Sequence, residues 1–216
     1  MKTNLQIISG RFKGKKLAIP QNARPTQNKA RIALFNMLDT IKSEIRNQKS
    51  EIIVWDAFAG SGAFGIECLS RGIAKHVIFT DKDPEAIKII KENLRGFDES
   101  EYTLIRADAS SPPMEGWRNA PGWSFTNSSQ DHPAPSGHPS IGGEPRPSLI
   151  FIDPPYDSPE LGIQVINNAP AGCVIVWEME KGTGHQALGT SEFEILKHKI
   201  YGRTEFLILE KLMPSA

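Results

Sequence analysis

At 216 residues, with 39% hydrophobic and 23% charged side chains, the chain is long enough to bury one substantial core and has the make-up of an ordinary globular protein. Its two cysteines, Cys68 and Cys173, sit among apolar neighbours and match neither a disulfide framework nor a zinc spacing, so buried reduced thiols and no metal site are expected. The N-terminus lacks an apolar stretch of signal-peptide length and no run approaches the roughly 20 apolar residues of a spanning helix, so a cytoplasmic, membrane-independent monomer is expected.

The zero net charge conceals an asymmetry. Residues 1–38 hold eight basic side chains, among them Arg11, Lys13, Lys15, Lys16, Arg24 and Arg31, and Asp39 is the first carboxylate. In the remainder 17 basic residues face 25 acidic ones, a net charge of 8 negative. A cationic head on an anionic body suits a phosphate backbone, where neutralised phosphates release condensed counterions. The plain alternative is a solvated basic surface.

Within that head, Leu5 to Ile8 and Lys16 to Ile19, separated by Gly10 and Gly14, predict two short strands of a basic ribbon. Arg24-Pro25-Thr26 then predicts a turn and cap, and from Gln27 to Arg46 apolar residues at helical spacing predict an amphipathic helix. Strand-like runs follow at Ile52 to Trp55, Val77 to Thr80, Tyr102 to Ile105, Leu149 to Ile152 and Cys173 to Trp177. Helical patterns lie between the first three, at Gly62 to Arg71 and at Pro84 to Arg95, the latter with Asp83 as N-cap and Pro84 at the first helical position. Strands alternating with helices mean a doubly wound, mostly parallel α/β sheet. Phe193 to Tyr201, Gly202, and Glu205 to Glu210 predict a closing antiparallel hairpin. Residues 1–46 are thus expected to form a basic N-terminal ribbon and helix, and residues 47–216 the main domain. Residues 111–148, with eight of the 16 prolines, five glycines and seven serines, are a low-complexity insertion with no regular element. It is either a passive loop or a flap offering Trp117, Trp123 and Phe125 to the site.

Two motifs carry the chemistry. The run from Asp56 to Gly65, with Phe58 inside it, contains Gly60-x-Gly62-x-x-Gly65 after the first strand, a spacing also used by dinucleotide-binding enzymes. Its glycines let the strand-to-helix turn tighten and a cofactor approach the backbone. Asp56 suits the amino and sulfonium groups of S-adenosylmethionine better than a pyrophosphate. Asp81, ending the second strand, can accept hydrogen bonds from ribose hydroxyls or serve a helix cap. Asp108 can receive an adenine amino group or be a plain loop carboxylate. The second motif, Asp153-Pro154-Pro155-Tyr156, is the more specific. A nucleobase amine is a poor nucleophile because its lone pair is delocalised. Asp153 and the Pro154 carbonyl can accept its two N–H groups, the prolines fix the turn, and Tyr156 offers a face for an unstacked base. Together the motifs predict methyl transfer from S-adenosylmethionine to an exocyclic nitrogen, on guanine or adenine.

The chain resembles the bacterial 16S ribosomal RNA guanine-N2 methyltransferases. The resemblance runs through Ile7 to Leu17, Arg24-Pro25-Thr26 with Arg31 and Leu34-Phe35-Asn36, the glycine motif, Asp153 to Tyr156, and Tyr201-Gly202. It implies a class I methyltransferase fold, Asp81 on the cofactor ribose and Asp153 to Tyr156 on the guanine amine. It also implies a basic head that helps bind ribosomal RNA or the small ribosomal subunit. Asn28, Ile32 and Arg203 stand where the family usually has acids. The insertion at 111–148 is longer than the family norm and the segment from Asp157 to Ala171 is short. The rival reading is an adenine-N6 methyltransferase acting on DNA or RNA.

Overall fold

The computed structural model describes residues 5–20, 28–48, 51–109, 146–155, 157–182 and 192–213. Arg24, Tyr156 and nearly all of the insertion lie outside them. The elements in chain order are α1 (Asn28–Gln48), β1 (Ile53–Asp56), α2 (Ala63–Ser70), β2 (His76–Asp81), α3 (Pro84–Asn93), a 3-10 turn (Glu99–Glu101), β3 (Tyr102–Arg106), β4 (Leu149–Ile152), α4 (Pro159–Asn167), β5 (Val174–Glu180), β6 (Phe193–Tyr201) and β7 (Thr204–Lys211).

Seven strands form one sheet in the order β3-β2-β1-β4-β5-β7-β6. The first five are parallel, and β7 enters antiparallel between β5 and β6. This is the mostly parallel sheet with a C-terminal antiparallel pair expected of a class I methyltransferase fold. Each strand-to-strand crossover buries both faces, so the strands read as nearly continuous apolar runs.

Strand alternation sorts the side chains into two cores. Val54, Val77, Phe79, Leu149, Phe151, Val174, Val176, Phe206 and Ile208 face one cluster, shared with α1 and α2; Trp55, Ile78, Ile150, Ile152, Ile175, Trp177, Leu207 and Leu209 face the other. On the first face the period-2 pattern turns from apolar to acidic toward the carboxyl ends of the parallel strands. Val54 is followed by Asp56, Phe79 by Asp81, Phe151 by Asp153 and Val176 by Glu178. The open end of the sheet therefore carries a row of carboxylates above an apolar floor.

In α1, Ala30, Leu34, Met37, Leu38 and Ile41 are buried at helical spacing, with Phe35 beside them. The expected N-terminal ribbon is present only in reduced form. Residues 5–20 hold one isolated antiparallel bridge, Gln6 with Lys16, instead of two strands. Gly10 and Gly14 both take φ of 85°, curling the segment into turns. Ile7 N–H donates to the Lys15 carbonyl at 2.9 Å and Leu17 N–H to the Leu5 carbonyl at 3.0 Å, pairing the two arms, while α2 takes others: Ile8 and Ser9 N–H donate to the Glu67 carboxylate at 2.8 and 2.9 Å, and Arg11 N–H donates to the Ser70 carbonyl at 2.8 Å. A Cβ on Gly10 would lie 1.9 Å from that carbonyl oxygen, so only glycine permits the approach. Leu5, Ile7 and Leu17 join the core of the sheet.

Candidate active site

The loop after β1 is built from hydrogen bonds that begin inside the core. Trp55 Nε1 donates to Thr80 Oγ1 at 3.0 Å, Thr80 Oγ1 donates to the Ala57 carbonyl at 2.8 Å, and Ala59 N–H returns to the Thr80 carbonyl at 3.0 Å. Gly60 then turns with φ 53° and Gly62 with φ 73°, which starts α2. The three glycines have separate roles. A Cβ on Gly60 would meet nothing within 4 Å, so this backbone faces open space; at Gly62 it would press on Ile66 and Ile90 at 3.2 and 3.3 Å. At Gly65 it would collide with Phe79 at 2.3 Å, so this glycine lets α2 lie directly on β2. Asn93, which carries no motif signal in the sequence, ties this loop to its surroundings. Its amide donates to the carbonyls of Ser61 and Ala18, at 2.9 and 3.0 Å, and accepts from Ala18 N–H at 2.8 Å.

Above the carboxyl ends of the strands lies a cavity of about 700 Å³ whose wall includes Ala57 to Ser61, Asp81, Asp108, Asp153, Pro154 and Pro155. Of the residues expected to bind a cofactor, Phe58, Gly60, Asp81 and Asp108 line it. Gly62 and Gly65 support the loop from behind. Asp56 is only 3% exposed and does not line the cavity; it accepts from Gly65 N–H at 3.0 Å. Through that bond it anchors the helix beneath the loop. Asp81 is oriented by two backbone donors, Gly60 at 2.8 Å on one oxygen and Asp83 at 2.9 Å on the other, each leaving further lone pairs toward the cavity. The helix cap itself belongs to Asp83, which accepts from Glu85 N–H.

Asp153 lies half-buried at the end of β4, with Pro154 buried and Pro155 exposed. The turn is closed by Ser158 N–H donating to the Pro155 carbonyl at 2.9 Å. From outside, α4 packs on it: a Cβ on Gly162 would lie 3.2 Å from Pro154 and 2.9 Å from Trp177 Nε1. Burial pushes the Asp153 carboxyl up to about 7. Asp56 is also raised to about 7, first by burial and then by the charges of Asp153 and Asp81, against the lowering effect of the Gly65 N–H.

The basic residues are divided by the fold. Lys13 and Lys16 are exposed. Arg11 pairs with Glu101 at 2.5 Å, and Lys15 donates to the Arg95 carbonyl while lying over the rings of Phe12 and Phe97. Arg31 is not on an exposed basic face at all. It is fully buried, donates to the Gln6 carbonyl, stands 4.0 Å from Glu67 and lines the cavity. Its place on the apolar face of α1, between Ala30 and Leu34, is what buries it. Two further acids stand outside the sequence motifs, Glu67 in α2 and Glu178 in β5; Glu178 is 3% exposed and lines the cavity. Among the described residues, no helix is long and apolar enough to cross a membrane.

The family model for conserved hypothetical protein 95 matches residues 5–116. YlbH of Bacillus subtilis is 37% identical over 49% of this chain and 54% of its own length. Ribosomal RNA small subunit methyltransferase D of Buchnera aphidicola subsp. Baizongia pistaciae is 32% identical over 71% of this chain and 62% of its own length. The chain thus aligns with between half and two thirds of these two relatives. The solved structure of yhhF from Escherichia coli superposes with a TM-score of 0.66 at 22% identity, covering 96% of this chain and 97% of that one, a likeness of fold. With more than half its length matched by the family model, the chain belongs to the conserved hypothetical protein 95 family, among whose similar proteins are the small-subunit rRNA methyltransferases D.

Proposed function

We propose that the protein methylates the exocyclic N2 amine of a guanine in small-subunit ribosomal RNA, using S-adenosylmethionine. One observation carries the reading: the glycine loop with Asp81 and the Asp153-Pro154-Pro155 turn open onto a single cavity. A donor-binding arm and an amine clamp are useful together only when they share one space.

The residues present fit the methyl donor. Gly60 leaves its side of the loop open where any larger residue would project, and Asp81 is pre-oriented as an acceptor for vicinal hydroxyls. When bound, S-adenosylmethionine supplies a methyl group on a sulfonium that departs as a neutral thioether. The protein's part is positional and electrostatic. Asp153 and the Pro154 carbonyl accept the two amine N–H groups and draw the nitrogen lone pair out of conjugation. As the nitrogen gains a carbon it must lose a proton, and the Asp153 carboxylate is the base in reach of it. A carboxyl pushed up to about 7 is suited to take that proton and return it to water near neutrality.

The RNA is expected to approach across the exposed Lys13 and Lys16, with residues 1–46 serving as the docking part of the chain. Curated relatives named as small-subunit rRNA methyltransferases support this choice of substrate class. Nucleoside mass spectrometry of 16S rRNA from cells with and without the gene tests the proposal. Loss of one N2-methylguanosine on deletion is expected; an unchanged profile, or loss of N6-methyladenosine instead, would overturn it.

A further inference from the structure

In the sheet, β4 and β5 pair in parallel with Ile152 opposite Trp177. Asp153 follows directly after β4 and Glu178 is the next residue of β5, each two residues on from Phe151 and Val176, which share a face. Both carboxylates line the cavity wall, one position beyond the last paired residues. Arg31 lines the same cavity from α1. One of its terminal nitrogens donates to the Gln6 carbonyl, but Nε and Nη1 are buried without a hydrogen-bond partner among the described residues. Buried guanidinium N–H groups are almost always paired, with protein, water or ligand.

Resting on the guanine-N2 reading above, we propose that Glu178 and Arg31 read the Watson–Crick edge of the target base. Along that edge guanine presents the N2 amine, N1–H and O6, that is donor, donor, acceptor. The wall presents acceptor, acceptor, donor: Asp153 for the amine, Glu178 for N1–H and Arg31 for O6. Adenine with its amine in the clamp would turn the bare N1 lone pair toward the Glu178 carboxylate and offer no acceptor to Nε and Nη1 of Arg31. A site that leaves buried polar groups unpaired rejects the wrong substrate strongly. Glu178 and Arg31 are thus specificity-determining residues, while Asp153 alone would hold the amine of either base.

The test uses the rRNA, or small-subunit particle, that the wild-type protein methylates, with the target guanine replaced by 2-aminopurine. This analogue keeps the C2 amine but has an unprotonated N1 and no O6. Wild type is expected to prefer guanine by about 100-fold or more in kcat/KM. In Glu178→Gln the amide can donate to a bare N1, so the preference should fall at least about tenfold, with S-adenosylhomocysteine affinity near wild type. The ratio compares two substrates on one preparation, so partial unfolding cancels from it. Equal turnover of both substrates by wild type, or an unchanged ratio in Glu178→Gln, would overturn the proposal. Failure of wild type to methylate guanine would instead overturn the functional reading on which it rests.

Discussion

The backbone N–H of Gly60 donates to Asp81 Oδ2 at 2.8 Å, so the acid that ends β2 holds the glycine loop that follows β1. Asp81 is therefore a structural acceptor, and under the proposed function it is a ligand acceptor as well. Asp81→Ala is expected to weaken S-adenosylmethionine binding by roughly 1.5 to 3 kcal/mol, the scale of hydrogen bonds to a charged group. It should also lower stability by about 1 to 3 kcal/mol, because Gly60 and Asp83 lose their acceptor. Calorimetry and thermal melts measure the two separately. Unchanged cofactor affinity with lowered stability would leave Asp81 a loop anchor only.

Gly60 and Gly65 make a contrasting pair. Gly65→Ala forces a methyl group against Phe79 and should cost about 1 to 3 kcal/mol of stability by overpacking. Gly60→Ala meets no atom but must hold a left-handed backbone, at a cost of about 1 to 2 kcal/mol. Its methyl group points where the cofactor is expected. Both variants should melt earlier, and only Gly60→Ala should also lose affinity for S-adenosylmethionine beyond what its stability loss explains. Parallel binding titrations on the folded fractions would distinguish them.

The raised Asp153 and Asp56 carboxyls give two pH signatures. Methyl transfer needs Asp153 ionised, so kcat should climb with pH and level off above about 7. Asp153→Asn should nearly abolish turnover at every pH while cofactor affinity stays close to wild type. Stability runs the other way. Asp56 in the folded protein holds its proton up to about 7, against 3.8 for an ordinary aspartate, so the folded state binds more protons than the unfolded one between those values. Its contribution is greatest below about 4 and is lost as the pH rises through 7. In Asp56→Asn the Gly65 N–H keeps an acceptor, and the fall in melting temperature across that window should flatten. An identical slope in variant and wild type would show that Asp56 ionises as an ordinary carboxylate.

Much of this is legible from the sequence. The Asp83-Pro84 start of α3 and the hairpin around Gly202 are local signals, and both lie where the pattern predicts. The order of the strands is not local, and no residue pattern announces that β7 inserts between β5 and β6. The helix α4 stands outside the predicted elements, although Pro159 at its first turn and Leu161, Val165 and Ile166 at helical spacing are usable signals. The N-terminal ribbon forms a single bridge instead of two strands because Gly10 and Gly14 curl it into turns and α2 takes the N–H groups of Ile8, Ser9 and Arg11. Glu67 has a visible sign, an acid inside the otherwise apolar Ala63–Ser70 helix, where burial demands partners. Arg31 is visible in the sequence only as part of the basic head and Glu178 carries no motif signal, since only the assembled fold brings the two to one cavity.

Glu67 is fully buried and collects the N–H groups of Ile8 and Ser9 and the Arg71 guanidinium, at 2.8, 2.9 and 2.7 Å, beside Arg31. Glu67→Ala leaves a buried guanidinium without its counter-charge and should cost about 3 to 5 kcal/mol. It should also release residues 5–19 from α2, seen as faster hydrogen exchange at Ile8 and Ser9 than at the sheet. Uniform exchange across the protein would mean that the segment is held by its apolar residues instead.

The basic head should act through only part of its charge. Lys13 and Lys16 are exposed, whereas Arg11 is already paired with Glu101 and Lys15 is bound to the Arg95 carbonyl above Phe12 and Phe97. A cation held by an internal partner must leave it before it can neutralise a phosphate, so its net gain from RNA is small. Reversing Lys13 and Lys16 together should weaken RNA binding and reduce the salt slope by roughly one for each phosphate that is no longer neutralised. Arg11→Gln should change the slope by much less, and its effect should appear in the melting temperature because Glu101 is left without its cation and the Phe12 and Phe97 rings keep only Lys15. Binding isotherms across a salt series read both. Equal slopes for the lysine reversals and wild type would show that the head is merely solvated, and a large slope change in Arg11→Gln would mean that RNA pulls Arg11 away from Glu101.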